Sequence, residues 1–338
     1  MFQGTTPPEV KLLLQDIMKG VEKKDVFIGC SGNFTTDKIM SNMGYTVHSN
    51  DVSLYSKLIS DLLLDTNTDI EVVNPELRLV FDTWKDTRYK NLVQVMFAMR
   101  VSGFHQRKND YQEEMFNSFI EQADIYYHNT ISKLEKGALN FNISSFFYGD
   151  FFDFLKSKKG KGIGIAFPPT YKGGYEKMFS YVEDSFRYVH APYNVFDPKE
   201  GGVMFKCLLE NDENIIYSDR YFQEINDFLV GKINLGPGKN PIYTYSSVKR
   251  DKHYYIERDK NIKPSCIHIL PMDYEFTDST EISAKICPVS DVNYYKAFYM
   301  ANKVNYTTGG DLGLVFMADG KAFGFSSFSK KLSTLEQI

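Results

Sequence analysis

Val26-Phe27-Ile28-Gly29-Cys30-Ser31-Gly32-Asn33-Phe34 is a short apolar run that breaks into a turn carrying two glycines. The first three residues suit a buried strand. Gly29 and Gly32, with the small residues Cys30 and Ser31 between them, suit a backbone that approaches a ligand closely or adopts positive φ. Upstream, residues 8–21 place apolar side chains at helical spacing; downstream, Thr35 or Thr36 is positioned to cap a helix through Lys38, Ile39 and Met40. Helix, strand, glycine turn and helix in that order predict the opening of a doubly wound α/β sheet. Glycine pairs also occur at such turns for steric reasons alone, so the prediction gains its weight from the strand ends further along the chain.

Residues 45–48 read as a second strand, ending at Asn50-Asp51 about twenty residues beyond the turn, where a doubly wound sheet places an acid on the ribose of an adenosine-containing ligand. The alternative is that Asn50 or Asp51 caps a helix beginning near Ser53. Residues 52–136 are helical in pattern almost throughout, with a stripe at Leu54, Leu58, Ile59 and Leu62, a start at Asn74-Pro75, and one long segment over 110–134. Placed before the third strand, this block predicts a helical insertion over residues 52–140. Its cations (Lys85, Arg88, Lys90, Arg100, Arg107 and Lys108) are interleaved with Tyr89, Phe97 and Phe104, as solvated helix faces or as a phosphate-contacting surface.

The sheet resumes over residues 143–148, which lead into Gly149-Asp150 and Phe151. A fourth strand over 162–167 runs into Pro168-Pro169-Thr170-Tyr171, and a fifth over 214–217 into Ser218-Asp219. Polar or glycine-bearing strand ends of this kind line one rim of a parallel sheet. Asp150 has a second reading, as the cap of the following helix. Residues 231–241, rich in Gly and Pro, predict a linker between a first domain over 1–230 and a second over 242–338. In the second, 242–248, 266–270, 312–317 and 322–328 read as strands and 291–304 as a helix. The expected fold class is α/β with a helical insertion, followed by a smaller α+β domain.

With 43% hydrophobic and 24% charged residues, the 338-residue chain carries enough apolar material for two cores, which excludes a disordered class. No apolar run approaches the roughly 18 residues of a membrane span, and the N-terminus lacks the layout of a secretion signal, so a cytoplasmic protein is expected. Cys30, Cys207, Cys266 and Cys287 show no CxxC spacing, and the six histidines are scattered without metal-ligand spacing, so no metal is expected. A net charge of −4 gives no global attraction to nucleic acid and leaves any such contact to local patches. Residues 249–263 mix basic and aromatic residues but include Asp251, Glu257 and Asp259, as a solvated hairpin does. Walker, GxSxG and HExxH motifs are absent.

In order, the glycine turn, Asp51, Gly149-Asp150 and the strand-terminal Pro-Pro resemble the class I S-adenosylmethionine-dependent methyltransferases that act on the exocyclic amine of adenine in DNA. The likeness spans residues 21–219 and implies a Rossmann-like sheet. It implies that Gly29, Ser31, Gly32, Asn33 and Phe34 wrap the methionine part of the cofactor, that Asp51 holds its ribose, and that Asp150 with Phe151 contacts its adenine. In this family Asp, Asn or Ser precedes Pro-Pro and accepts a hydrogen bond from the target amine, and an aromatic next to it stacks on a base drawn from the duplex. Here those slots hold Phe167 and Thr170, with Tyr171 displaced by one, so Pro168, Pro169, Thr170 and Tyr171 are the expected target-pocket residues. Residues 168–179, PPTYKGGYEKMF, are similar to a phage antirestriction adenine methyltransferase group. The resemblance implies DNA as partner and adenine N6 as target. A catalytically silent fold that binds DNA or protein, with adenine modification left to a C-terminal acyltransferase, is the alternative that Phe167 raises.

Residues 294–328 read as helix, polar loop, strand, Asp319-Gly320 turn and strand, and the Asp-Gly between alternating apolar runs is a hairpin signal. That order is similar to the first half of a GNAT-type acyltransferase, whose acyl-CoA-gripping half is expected to come after Ile338. An ordinary hairpin packed on a helix is the other reading.

Overall fold

The structure, a computed structural model, describes residues 7–22, 25–170, 174–234, 240–248, 254–257, 268–271, 273–292 and 312–328. One compact unit comprises the chain up to Ile233 together with Pro241–Ile256. Its elements open with α1 Pro8–Met18, β1 Asp25–Gly29, α2 Thr35–Asn42 and β2 Thr46–Asp51. The insertion comes next as α3 Leu54–Leu64, β3 Glu71–Val72, α4 Pro75–Phe81, α5 Lys90–Val101, α6 Asp110–Glu121 and α7 Ala123–Glu135. Then come β4 Ser145–Tyr148, α8 Phe151–Ser157, β5 Ile163–Ala166, α9 Gly174–Ser185, β6 Phe186–Arg187 and α10 Gly201–Asn211. The unit closes with β7 Asn214–Ser218, a 3-10 segment Gln223–Phe228, β8 Leu229–Asn234, β9 Ile242–Ser246 and β10 Tyr254–Glu257.

Eight strands form one sheet in the order β10-β8-β9-β7-β5-β1-β2-β4. From β4 to β7 every pairing is parallel, whereas β9 runs antiparallel to both β7 and β8. β5 and β7 are buried along their whole length, as the centre of a parallel sheet covered on both faces requires. Phe154, Leu155, Phe205, Leu208 and Leu209 from α8 and α10 pack with Ile216 and Tyr245 of the sheet. The α/β fold with a helical insertion is therefore the one the sequence predicts.

The insertion has an aromatic core of its own. Trp84 stacks on Tyr127 with ring centroids 4.7 Å apart and meets Phe81 at 4.7 Å, and its indole N–H donates to Asp124 Oδ1 at 3.0 Å. Two of its arginines serve internal packing: Arg107 lies 4.1 Å over the Phe116 ring while donating to both oxygens of Glu76, and Arg100 lies over Phe119 and Tyr126. Phe97 is buried, so the basic-aromatic interleaving is to that extent a core pattern. The single helix expected over 110–134 is two helices broken at Gln122, whose φ and ψ of −98° and 10° leave the helical region. The pairing of β3 with β6 joins segments 116 residues apart at Glu71 and Arg187 and has no local signal.

The stretch expected to be a linker, 231–241, is in part sheet. β8 runs to Asn234, and β9, assigned from sequence to the second domain, sits between β7 and β8. Gly231 pairs with Thr244 of β9, and it is a glycine because a helix crosses it closely: a Cβ there comes within 2.9 Å of Leu13 of α1.

The second compact unit is residues 234–240 and 257–338. Its described part is an antiparallel sheet of β11 Ile282–Cys287, β12 Leu312–Ala318 and β13 Lys321–Phe328, packed around Cys287, Val292, Val315, Met317 and Ala322. Asp319 and Gly320 turn the β12–β13 hairpin with φ of 46° and 74°, both positive as a two-residue turn of this hand demands. Ile269 bridges to Ala322. On either side of it Leu270 N–H donates to the Ala322 carbonyl and Ala322 N–H to the His268 carbonyl, at 2.8 Å each; residues 266 and 267 of the expected 266–270 strand, and most of the expected 291–304 helix, lie outside the described residues.

Candidate active site

The parallel strands all point their carboxyl ends to one edge, and the sheet order reverses direction between β1 and β5, the place where open α/β sheets leave a crevice. A cleft of about 320 Å³ opens there, within the size range of small-molecule sites. It collects residues from separate parts of the chain: Gly29, Ser31, Gly32 and Asn33 after β1, Asp51 at the end of β2, Asp150 and Phe151 after β4, and Pro168, Pro169 and Thr170 after β5. Ten of the twelve residues singled out from sequence thus face one cavity. Phe34 does not line it, and Tyr171 lies outside the described residues.

The turn after β1 is built from three positive-φ residues, Cys30 at 58°, Gly32 at 54° and Phe34 at 58°. Phe34 spends its strained backbone on the core. Its ring is fully buried against Phe141 and Phe146, so its role is to anchor the turn from behind. Phe34 is also the residue that precedes α2, and no side chain caps that helix; Asn33 Oδ1 accepts from the N–H and hydroxyl of Thr35 instead. At Gly29 an added Cβ meets Phe151 Cβ at 3.3 Å and Ala166 Cβ at 3.4 Å, so a glycine keeps β1, β5 and α8 this close.

A polar web behind the turn fixes its shape. Ser31 N–H donates to the Asn50 carbonyl at 2.8 Å, and Gly32 N–H donates to Asp51 Oδ2 at 2.7 Å. The hydroxyls of Ser31 and Ser49 both donate to Asp37 Oδ1, at 2.9 and 2.5 Å. Asp37 is wholly buried on α2, its Oδ2 has no partner among the described residues, and burial pushes its carboxyl up to about 6. Asn50, also wholly buried, donates through Nδ2 to the carbonyls of Phe147 and Gly149 at 2.9 and 2.7 Å and so ties β2 to the end of β4.

Asp51 does not cap α3. Ser53 does, accepting from Ser56 N–H at 3.2 Å, while Asp51 Oδ1 accepts from the N–H groups of Val52 and Ser53 at 2.8 Å each. Burial moves the Asp51 carboxyl above its ordinary range, against the hydrogen bonds from Ser53, Gly32 and Val52. Its Oδ2, which takes one bond from Gly32, keeps capacity to accept a second. Asp150 is a helix cap as well as a lining residue: Oδ1 accepts from Phe152 N–H at 2.8 Å and Oδ2 from Asn194 N–H at 3.0 Å. Asn194 belongs to a segment, 193–196, that reaches the cleft and carries no motif to betray it in the sequence. The Cys30 thiol is held well above its usual range by burial and by the Asp51 and Asp150 carboxylates, so it faces the cleft as a neutral thiol rather than a nucleophile.

At the Pro-Pro turn, Phe167 packs against Tyr217, centroids 5.9 Å apart, and offers no acceptor. Thr170 is buried and donates its hydroxyl to Asp219 Oδ1. Asp219, after β7, lines the same cleft, as does Lys11 of α1, the one cation among the described lining residues. Neither residue carries a sequence signal beyond its position, Asp219 at a strand end and Lys11 one turn into the first helix. Among the described residues no group of three or more His, Cys, Asp and Glu is placed to hold a metal ion, and no helix is long and apolar enough to cross a membrane.

Residues 2–269 match a family model described as Phage DNA Adenine Methylase-like domain 1. No curated protein matches the chain.

Proposed function

The chain belongs to the phage DNA adenine methylase-like family, and from that premise we propose that it binds S-adenosylmethionine in the cleft at the β1–β5 crevice and methylates adenine N6 in DNA, protecting phage DNA from host restriction. The observation that carries the reading is the gathering of the glycine turn, two carboxylates and the Pro-Pro turn around one cavity. The cavity suits the cofactor. Ile28, Ile165 and Ala166 give the cavity an apolar lining, Phe151 offers a ring for the adenine, and a Cβ at Gly29 would press on Phe151 Cβ at 3.3 Å. In this reading the Asp51 Oδ2 lone pair accepts from a ribose hydroxyl, Asp150 and Phe151 border the adenine, and the turn from Gly29 to Asn33 tracks the methionine part. Lys11 is the natural counter-charge for the methionine carboxylate. The carboxylates also favour a sulfonium cation electrostatically.

The cofactor supplies an electrophilic methyl group. The protein's own residues position the acceptor and exclude water: Pro168, Pro169 and Thr170 floor the target pocket, with Tyr171 next in the chain to stack on the base. A second reading, a fold that binds DNA without chemistry, draws on Phe167, which fills the acceptor slot with a hydrocarbon ring. Two measurements decide. Calorimetry with S-adenosylmethionine is expected to give binding by the native chain and at least about tenfold weaker binding by Asp51→Ala, since a hydrogen bond to a charged group is lost; equal affinities refute the cofactor site. Mass spectrometry of nucleosides from DNA co-expressed with the protein is expected to show adenine heavier by one methyl group. Unmodified DNA favours the silent fold, and a larger adduct points to acyl transfer.

A further inference from the structure

The Pro-Pro turn departs from the expected pattern at two places, Phe167 and Thr170. We propose that Asp219, at the end of the neighbouring strand β7, is the catalytic acceptor for the target amine, held in place by Thr170. This rests on the methyltransferase function proposed for the cleft and names the group that carries its chemistry.

Asp219 stands where such a group is needed. β5 and β7 are adjacent and parallel, with Ala166 paired to Ile216, so the residues beyond them emerge side by side at the same edge. Phe167, Pro169, Thr170 and Asp219 all line the cleft. The carboxylate is oriented by a chain of hydrogen bonds: Arg220 N–H donates to Ser218 Oγ at 3.0 Å, Ser218 Oγ–H donates to Thr170 Oγ1 at 3.3 Å, and Thr170 Oγ1–H donates to Asp219 Oδ1. Ser218 and Thr170 are buried, which makes the support rigid, while Asp219 itself is half-buried and open to the cavity. Oδ2 has no hydrogen-bond partner among the described residues and is the oxygen left to accept from a substrate. A threonine in the slot where the family carries a stacking aromatic thus acquires a purpose that an aromatic ring cannot serve, and Phe167, relieved of the acceptor role, packs on Tyr217.

In the transfer step the N6 lone pair forms the new N–C bond as the C–S bond of the methyl donor breaks and leaves its electron pair on sulfur. The proton lost from nitrogen passes to Asp219 Oδ2 and from there to solvent. A hydrogen bond from the amine to this carboxylate before attack raises the nitrogen's nucleophilicity.

The test combines single-turnover methylation of DNA with two readouts that do not depend on turnover. Asp219→Ala is expected to slow methyl transfer by roughly 100-fold or more, and Asp219→Asn, which restores an acceptor, to recover part of that loss. Calorimetric binding of S-adenosylmethionine is expected to persist in both, which establishes that the pocket is folded. The third readout uses duplexes that carry either adenine or purine, a base lacking the amine, at the site identified from the methylated DNA. The native protein is expected to bind the adenine duplex about tenfold tighter, as suits a hydrogen bond to a charged acceptor, and Asp219→Ala to bind both alike. Thr170→Val is expected to lie between native and Asp219→Ala in rate. If native protein methylates adenine but Asp219→Ala keeps its rate or its preference for the adenine duplex, this inference alone falls. If native protein leaves DNA unmethylated, the methyltransferase function falls and takes this inference with it.

Discussion

Asn50 and Asp37 set the shape of the cleft from behind, although neither is placed against its floor by a recognisable motif. Asn50→Ala leaves the carbonyls of Phe147 and Gly149 without their donor, and each buried unsatisfied group costs about 1–3 kcal/mol. The variant is expected to lose stability of that order in urea melts and to bind S-adenosylmethionine more weakly, because β4 no longer holds Asp150 at the rim. Asp37 gives a pH signature. Its carboxyl is pushed up by burial to about 6 from 3.8. The folded state therefore binds the proton more tightly than the unfolded chain, and the contribution of this group to stability is fully present below pH 4 and lost as pH rises through 6. The loss amounts to roughly 3 kcal/mol. Asp37→Asn cannot ionise, so native protein is expected to lose about that much relative to the variant between pH 4 and pH 7, read from denaturant midpoints; parallel profiles would contradict it. Asp51, Asp150 and the glycines were legible because strand ends and turn chemistry leave local traces. Asp37 and Asn50 were not, since their partners are contributed by α2, β2 and β4 and meet only when the sheet forms.

The β5–β7 pair is where element packing is tightest. A Cβ on Gly164 falls 2.0 Å from Asn214 Oδ1 and 2.6 Å from Lys158 Cε. Lys158 cannot yield easily: its buried ammonium donates to Asp212 Oδ2 at 2.8 Å and to the carbonyls of Gly162 and Glu213. Gly164→Ala is expected to lower stability by about 1–3 kcal/mol, as overpacking does, with a reduced denaturant midpoint at unchanged slope. Element types were readable where apolar runs or helix starts were clear, as in the β1, β2 and β7 strands and the start of α4 at Asn74-Pro75. Two expectations failed, each for a physical reason. Gln122 breaks the helical path without a proline or glycine to mark it, and Gly231 looked like linker chemistry because the helix that requires a glycine there is more than 200 residues upstream in sequence.

At the scale of the molecule, all eight strands of the sheet and every described residue of the cleft precede residue 258. A chain ending at Glu257 is accordingly expected to unfold in one cooperative transition and to bind S-adenosylmethionine with the affinity of the full chain; a broad, non-cooperative melt would contradict this. The parallel strands β1, β2, β4, β5 and β7 were legible because each left a local apolar run ending in polar or glycine-bearing residues. The position of β9 was not, for nothing local tells a strand to enter between two that are already adjacent in the chain. That insertion has a cost during synthesis. While the ribosome has delivered β8 but not yet β9, β7 has no neighbour on its outer side, and its open backbone donors and acceptors form a template on which other nascent chains can assemble. A chain truncated after residue 236 is therefore expected to be insoluble and one truncated after residue 250 soluble, β9 serving as the molecule's seal against its own copies.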